Sequence, residues 1–97
     1  MAVLFIAELA DIRGNAAFMP PLAEQTVAIA AGSNASAAFN ASTRFIRVHT
    51  DAICSVVIGE APVAAATNGR MAANQTEYFA VRHGKATTDK IAVIVNT

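Results

Sequence analysis

Residues Thr43–Gly59 read TRFIRVHTDAICSVVIG, and the reading of this stretch decides the fold class. In Arg44–His49 the side chains alternate: Ile46 and Val48 lie on one side of an extended chain, Phe45, Arg47 and His49 on the other. Ile53–Ile58 follows at once. The stretch therefore reads as two paired strands with Thr50-Asp51 as a tight reversal between them, the Asp51 side chain bonding the local backbone. Thr76–Arg82 alternates again, with Phe79 and Val81 facing away from Tyr78, Ala80 and Arg82, and Lys90–Val95 sets Ile91, Val93 and Val95 on one face.

The rest of the chain fits the same class. Val3–Leu9 is apolar almost throughout, and its short length with Phe and Ile favours a strand over a helix. Thr26–Ala30 and Ala35–Phe39 read as short strands around a Gly32-Ser33-Asn34 turn, and Val63–Thr67 as an edge strand before the Asn68-Gly69 turn signal. Seven to eight short antiparallel strands at intervals of roughly ten residues predict a single all-β domain over 1–97, a β-sandwich or jelly roll. Only Asp11–Gln25 lacks a pattern. Gly14, Asn15 and Pro20-Pro21 mark an irregular arm or loop there, with two roles open to it: an arm along a neighbouring subunit, or a surface loop.

Composition narrows the function. Seven basic and seven acidic residues balance to zero net charge, without the basic footprint that nucleic-acid binding requires. Apolar residues make up 55% of the 97, yet many are Ala and aromatics are only 6%, so little transfer free energy is available per buried side chain. With 14% charged residues as well, the chain is expected to bury apolar surface against other chains, as a homo-oligomer. The N-terminal run lacks a basic n-region, is interrupted by Glu8 and is too short to cross a bilayer, so no membrane is expected and the chain is expected to be made in the cytoplasm.

No catalytic constellation emerges. The lone Cys54 sits in an apolar strand and is expected to be buried and inert. His49 and Asp51 share a strand face, but no third ligand has suitable spacing, so no metal is expected. Ser36 and Ser55 lack a nucleophile-elbow context, no Gly-rich phosphate loop exists, and Glu8, Glu24, Glu60 and Glu77 are scattered. The chain is read as a non-enzyme without a cofactor. Arg44, Arg47 and His49 on one strand, with Arg82 and His83 ending another, would make a basic stripe if those strands pair.

The Thr43-Arg44 strand leading to His49-Thr50-Asp51-Ala52-Ile53-Cys54, the Ile58-Gly59-x-x-Pro62 turn, the Arg70–Phe79 segment RMAANQTEYF and the closing Lys90–Ile94 resemble small virion proteins of tailed bacteriophages that accompany the major capsid protein. Met1–Leu9 and Leu22–Ile29 look similar too, while the His83–Asp89 loop differs from the shorter Gly-rich loop of that group. The resemblance implies a structural role on the capsid surface: a decoration (cement) protein that binds the major capsid protein as a dimer or trimer. The alternatives are a head–tail or tail component, or a sugar- or receptor-binding sandwich. The contact residues expected on this reading are Phe5, Phe18, Met19 and Pro20 in the N-terminal strand and arm, with Arg44 and Arg47.

Overall fold

Val3–Leu9 forms β1, the strand around which one of two packed sheets is built. The computed structural model describes residues 2–10, 12–13, 16–17, 21–82 and 84–97, and no helix occurs among them. The other strands are β2 (Ile12–Arg13), β3 (Ala16–Ala17), β4 (Ala23–Ala28), β5 (Asn34–Ala35), β6 (Phe45–Thr50), β7 (Cys54–Gly59), β8 (Gly69–Met71), β9 (Thr76–Ala80) and β10 (Lys90–Val95). One four-stranded sheet has the order β4-β1-β6-β9, the other β5-β10-β7-β8, and every pairing is antiparallel. The chain is an all-β sandwich.

Alternation explains the core. Leu4 and Ile6 from β1, Val27 from β4, and Ile46 and Val48 from β6 face inward from the first sheet. They meet Cys54 and Val56 from β7, Met71 from β8, and Ile91 and Val93 from β10. Full burial of each Leu or Ile contributes about 1.5–3 kcal/mol, which makes Leu4, Ile6, Ile46 and Ile91 the main apolar anchors.

Several sequence expectations change. β6 and β7 are not a hairpin: they belong to different sheets, and Thr50–Ile53 turns the corner between them. A two-residue hairpin wants residues such as Asn-Gly that accept positive φ. Here the Thr50 hydroxyl donates to the Ala52 carbonyl (2.6 Å) and accepts from the Ala52 N–H (3.2 Å), while the Asp51 carboxylate accepts from the distant Val3 N–H (2.9 Å) and not from local backbone. The described residues within Asp11–Gln25 hold more strand than expected. Ile12–Arg13 pairs with Ala16–Ala17, and β4 begins at Ala23, where Ala, Glu and Gln conceal a strand that runs beside Glu8, Ala7 and Ile6. Of Ala35–Phe39 only Ala35 is strand, joined in β5 by Asn34 from the expected turn, although Phe39 is still buried in the core. Val63–Thr67 is not a strand; Gly69–Met71 is the edge instead.

The two open sides of the sandwich are finished differently. On the β4/β5 side, the Gln25 side chain accepts from the Ala37 N–H (3.0 Å) and donates to the Ala37 carbonyl (3.3 Å), and the Asn34 side chain donates to the Ala28 carbonyl (3.0 Å). These bonds stitch the sheets together. On the β8/β9 side, β8 spans only three residues and leaves a cleft of about 300 Å³ lined by Ile58, Met71, Gln75, Glu77 and Phe79.

Candidate functional site

Two outer faces remain once the core is filled, and among the described residues one is the more open. On the β5-β10-β7-β8 sheet, Ser55 and Ala92 point outward by alternation, yet both are fully buried. The Glu60–Asn68 loop accounts for part of this cover. The Ser55 hydroxyl donates to the Ala66 carbonyl (3.4 Å), and the Asn96 amide donates to both Ser55 Oγ (2.7 Å) and the Ala66 carbonyl (3.1 Å). Ala64, itself buried, donates its N–H to Ser33 Oγ (2.8 Å) and fixes the loop from its other side.

On the β4-β1-β6-β9 sheet the register places side chains in rows across the face. Thr26, Phe5, His49 and Thr76 make one row; Glu24, Ala7, Arg47 and Tyr78 make the next. Phe5 and Tyr78 keep 44% and 45% of their surface exposed, high for aromatic side chains on a small domain. The Phe5 and His49 rings lie 6.3 Å apart at 43°, within the tilted range of aromatic pairs, and His49 Nδ1 shares a 2.8 Å hydrogen bond with the Thr76 hydroxyl. Ala7 leaves room at the centre of the face. Around it Phe5, Glu24, Thr26 and Arg47 wall a shallow depression of about 240 Å³.

The face is held from beneath. Glu8 shares the inward parity of Leu4 and Ile6 and is 2% exposed. Its Oε1 accepts from the Asn40 N–H (2.7 Å) and the Thr43 hydroxyl (2.9 Å), and its Oε2 from the Gln25 amide (3.1 Å). Those three donors tie the chain entering β6, and the β4 edge, to β1.

Of the residues expected from sequence, Phe5 and Arg47 come together at the depression. Arg44 does not join them. It lies at the entry to β6 with the opposite parity, donates its N–H to the Leu9 carbonyl (3.0 Å), and lines a separate groove with Ser42, Thr43, Phe45 and Arg82. Phe18, Met19 and Pro20 lie outside the described residues, as does His83. Among the described residues the basic stripe forms only in part: Arg44 and Arg82 line one groove, while Arg47 and His49 stand on the open face. β6 and β9 do pair, but Arg47 neighbours Tyr78, and Arg82 lies beyond β9 in a two-point ion pair with Asp89 (Nε–Oδ2 2.8 Å, Nη2–Oδ1 2.5 Å). The Arg82 hydrogen bonds hold the Asp89 carboxyl below the ordinary carboxylate range. Tyr78, Glu24 and Thr26 were missed as members of the face. Alternation already turned Tyr78 outward, but the strand order that sets it beside Arg47 is a tertiary fact.

Nucleophilic chemistry has little support. Cys54 is fully buried, its thiol donates to Thr50 Oγ1 at 3.5 Å, and burial pushes the thiol pKa up, away from the reactive thiolate. Among the described residues no three His, Cys, Asp or Glu side chains gather as a metal site, and no helix is long and apolar enough to cross a membrane. What the open face can do is make contact: exposed aromatic surface, a guanidinium and a carboxylate on a rigid sheet.

No family model, no curated protein and no solved structure matches this chain.

Proposed function

We propose that this chain is a structural, non-catalytic virion protein: a bacteriophage capsid decoration (cement) protein that binds the major capsid protein at the capsid surface as a homo-oligomer, through the open face of the β4-β1-β6-β9 sheet. The observation that carries the reading is the contrast between the two outer faces. A 97-residue chain that covers part of one sheet with its own loop leaves Phe5, Arg47 and Tyr78 exposed on the other. Exposed aromatics beside Arg are the surface composition enriched at protein interfaces. A protein repeated over a symmetric shell gains avidity without strong single contacts, so a shallow face suffices. The sequence resemblance to phage virion proteins points the same way.

The test is the copy number of the chain in purified virions of the phage that encodes it, by quantitative mass spectrometry against the major capsid protein. A ratio near one, or a simple fraction of it, supports decoration. A handful of copies per particle moves the chain to a head–tail or tail position, and absence from the particle sinks the reading. A Phe5→Ser, Arg47→Glu double variant should then lower occupancy.

The depression at Ala7 favours one second reading. An aromatic wall with Glu24, Thr26 and Arg47 around it has the character of a sugar-binding subsite. Binding to a glycan array that disappears in Phe5→Ala would select a sugar- or receptor-binding module over cement.

A further inference from the structure

The β9 edge carries an inference of its own. β9 ends its sheet, and the direction of its free backbone groups can be worked out. The Thr50 N–H donates to the Gln75 carbonyl (3.1 Å), and the Val81 N–H donates to the Arg44 carbonyl (2.8 Å). The Gln75 carbonyl and the Val81 N–H therefore point at β6, and by the alternation of an antiparallel ladder so do the backbone groups of Glu77 and Phe79. Thr76, Tyr78 and Ala80 aim theirs away from the sheet, and nothing pairs with them among the described residues. An edge of this kind is usually blunted by Lys, Pro or a bulge. TEYFA has no Lys or Pro, and its centre is the exposed Tyr78.

We propose that β9 is a dimerisation edge, and that two copies of this chain pair β9 to β9 antiparallel about a dyad at Tyr78. The sequence is self-complementary in that register. Tyr78 faces Tyr78 of the second copy, and Thr76 faces Ala80 of the second copy, so all three outward N–H and C=O pairs find partners in both chains. Glu77 stands opposite Phe79 of the second copy, so no like charges meet. Glu77, held by the Gln75 amide at 2.6 Å, stays at the mouth of the cleft, where it is half-exposed and keeps its hydration. On the outer surface the two tyrosines form a cross-strand aromatic pair flanked by Arg47 on each side, the kind of pair that stabilises antiparallel sheets. The product is one eight-stranded sheet whose two open faces become continuous. A second copy is favoured over an unrelated strand because this symmetric register satisfies every free group at once, and because one chain with so few large apolar residues gains most from association with itself.

This pairing gives the proposed homo-oligomer a specific form, and it is tested on the purified chain, so its failure and the failure of the capsid reading are separable. Sedimentation equilibrium of the wild-type protein should show a reversible dimer. Ala80→Pro removes an N–H that points away from β6, so circular dichroism should be retained while the dimer is lost. Tyr78→Cys should give a disulfide-linked dimer under mild oxidation, because Cα atoms at a hydrogen-bonded pair lie about 5.5 Å apart. Thr76→Cys, which faces position 80, should not. A wild-type protein that is monomeric at every concentration, or one that forms a trimer, overturns the proposal. So does a dimer that survives Ala80→Pro and fails to cross-link through Tyr78→Cys. Should Ala80→Pro not fold, the contrast between the two cysteine variants decides.

Discussion

The two sheets are pinned by polar groups from opposite sides. In the β4-β1-β6-β9 sheet the clamp is internal: Glu8, facing the core, receives the Asn40 N–H, the Thr43 hydroxyl and the Gln25 amide. In the β5-β10-β7-β8 sheet it is external: Ser55 and Asn96 fasten the loop carbonyl of Ala66 over the outside. An internal clamp leaves the outer surface uncovered, whereas an external one occupies part of it. The difference is the ground on which the β4-β1-β6-β9 face is proposed as the contact face.

Substitutions sharpen the contrast, and the largest effect belongs to the internal clamp. Glu8→Ala strands three donors in a buried site and should cost about 3 kcal/mol or more in urea unfolding. Glu8→Gln should cost less, about 1–2 kcal/mol. Its Oε1 can keep Asn40 and Thr43, but its amide meets the Gln25 amide, which cannot flip without losing both bonds to Ala37. Next come two matched alanines on the outer faces. Ala92→Leu overfills a fully buried position and should destabilise by about 1–3 kcal/mol, while Ala7→Leu on the open face should stay within about 0.5 kcal/mol in the same assay. Equal costs at the two positions would break the comparison. Asn96→Ala should remove about 1 kcal/mol and raise proteolytic cutting within Glu60–Asn68, because the loop loses its outer fastening.

The smallest effect concerns acid. The Arg82 hydrogen bonds lower the folded-state pKa of Asp89, so the pair's stabilisation is present above the unfolded carboxylate value of about 3.9 and is lost as pH falls through the folded value. The melting temperature should therefore be insensitive to this pair near neutrality and fall in acid. Asp89→Asn should flatten that fall without moving the open face.

Much of the fold was legible because period-two alternation survives wherever strands carry large apolar residues. Ile46 and Val48, Phe79, and Ile91 and Val93 all face as their pattern predicts. Legibility failed where side chains are small or where a turn has two meanings. Ala23-Glu24-Gln25 carries no apolar contrast, so β4 was missed at its start. Thr50-Asp51 fits a hairpin or a corner equally well, and only Val3, distant in sequence, distinguishes them by donating to Asp51. The candidate site was half legible for the same reason. Phe5 and Arg47 were named as contact residues, and the structure sets both at the depression, but the row that joins Arg47 to Tyr78 depends on β9 returning to the edge of β6.

Cys54 has a use unrelated to chemistry at a site. It lies at the corner where the chain passes from one sheet to the other, sealed among residues of both and free of any disulfide. A thiol reagent can reach it only when the sheets part, so its labelling rate is a clock for the separation of the layers. Run with and without a partner on the open face, that clock would report how far docking on the outside slows motions of the interior.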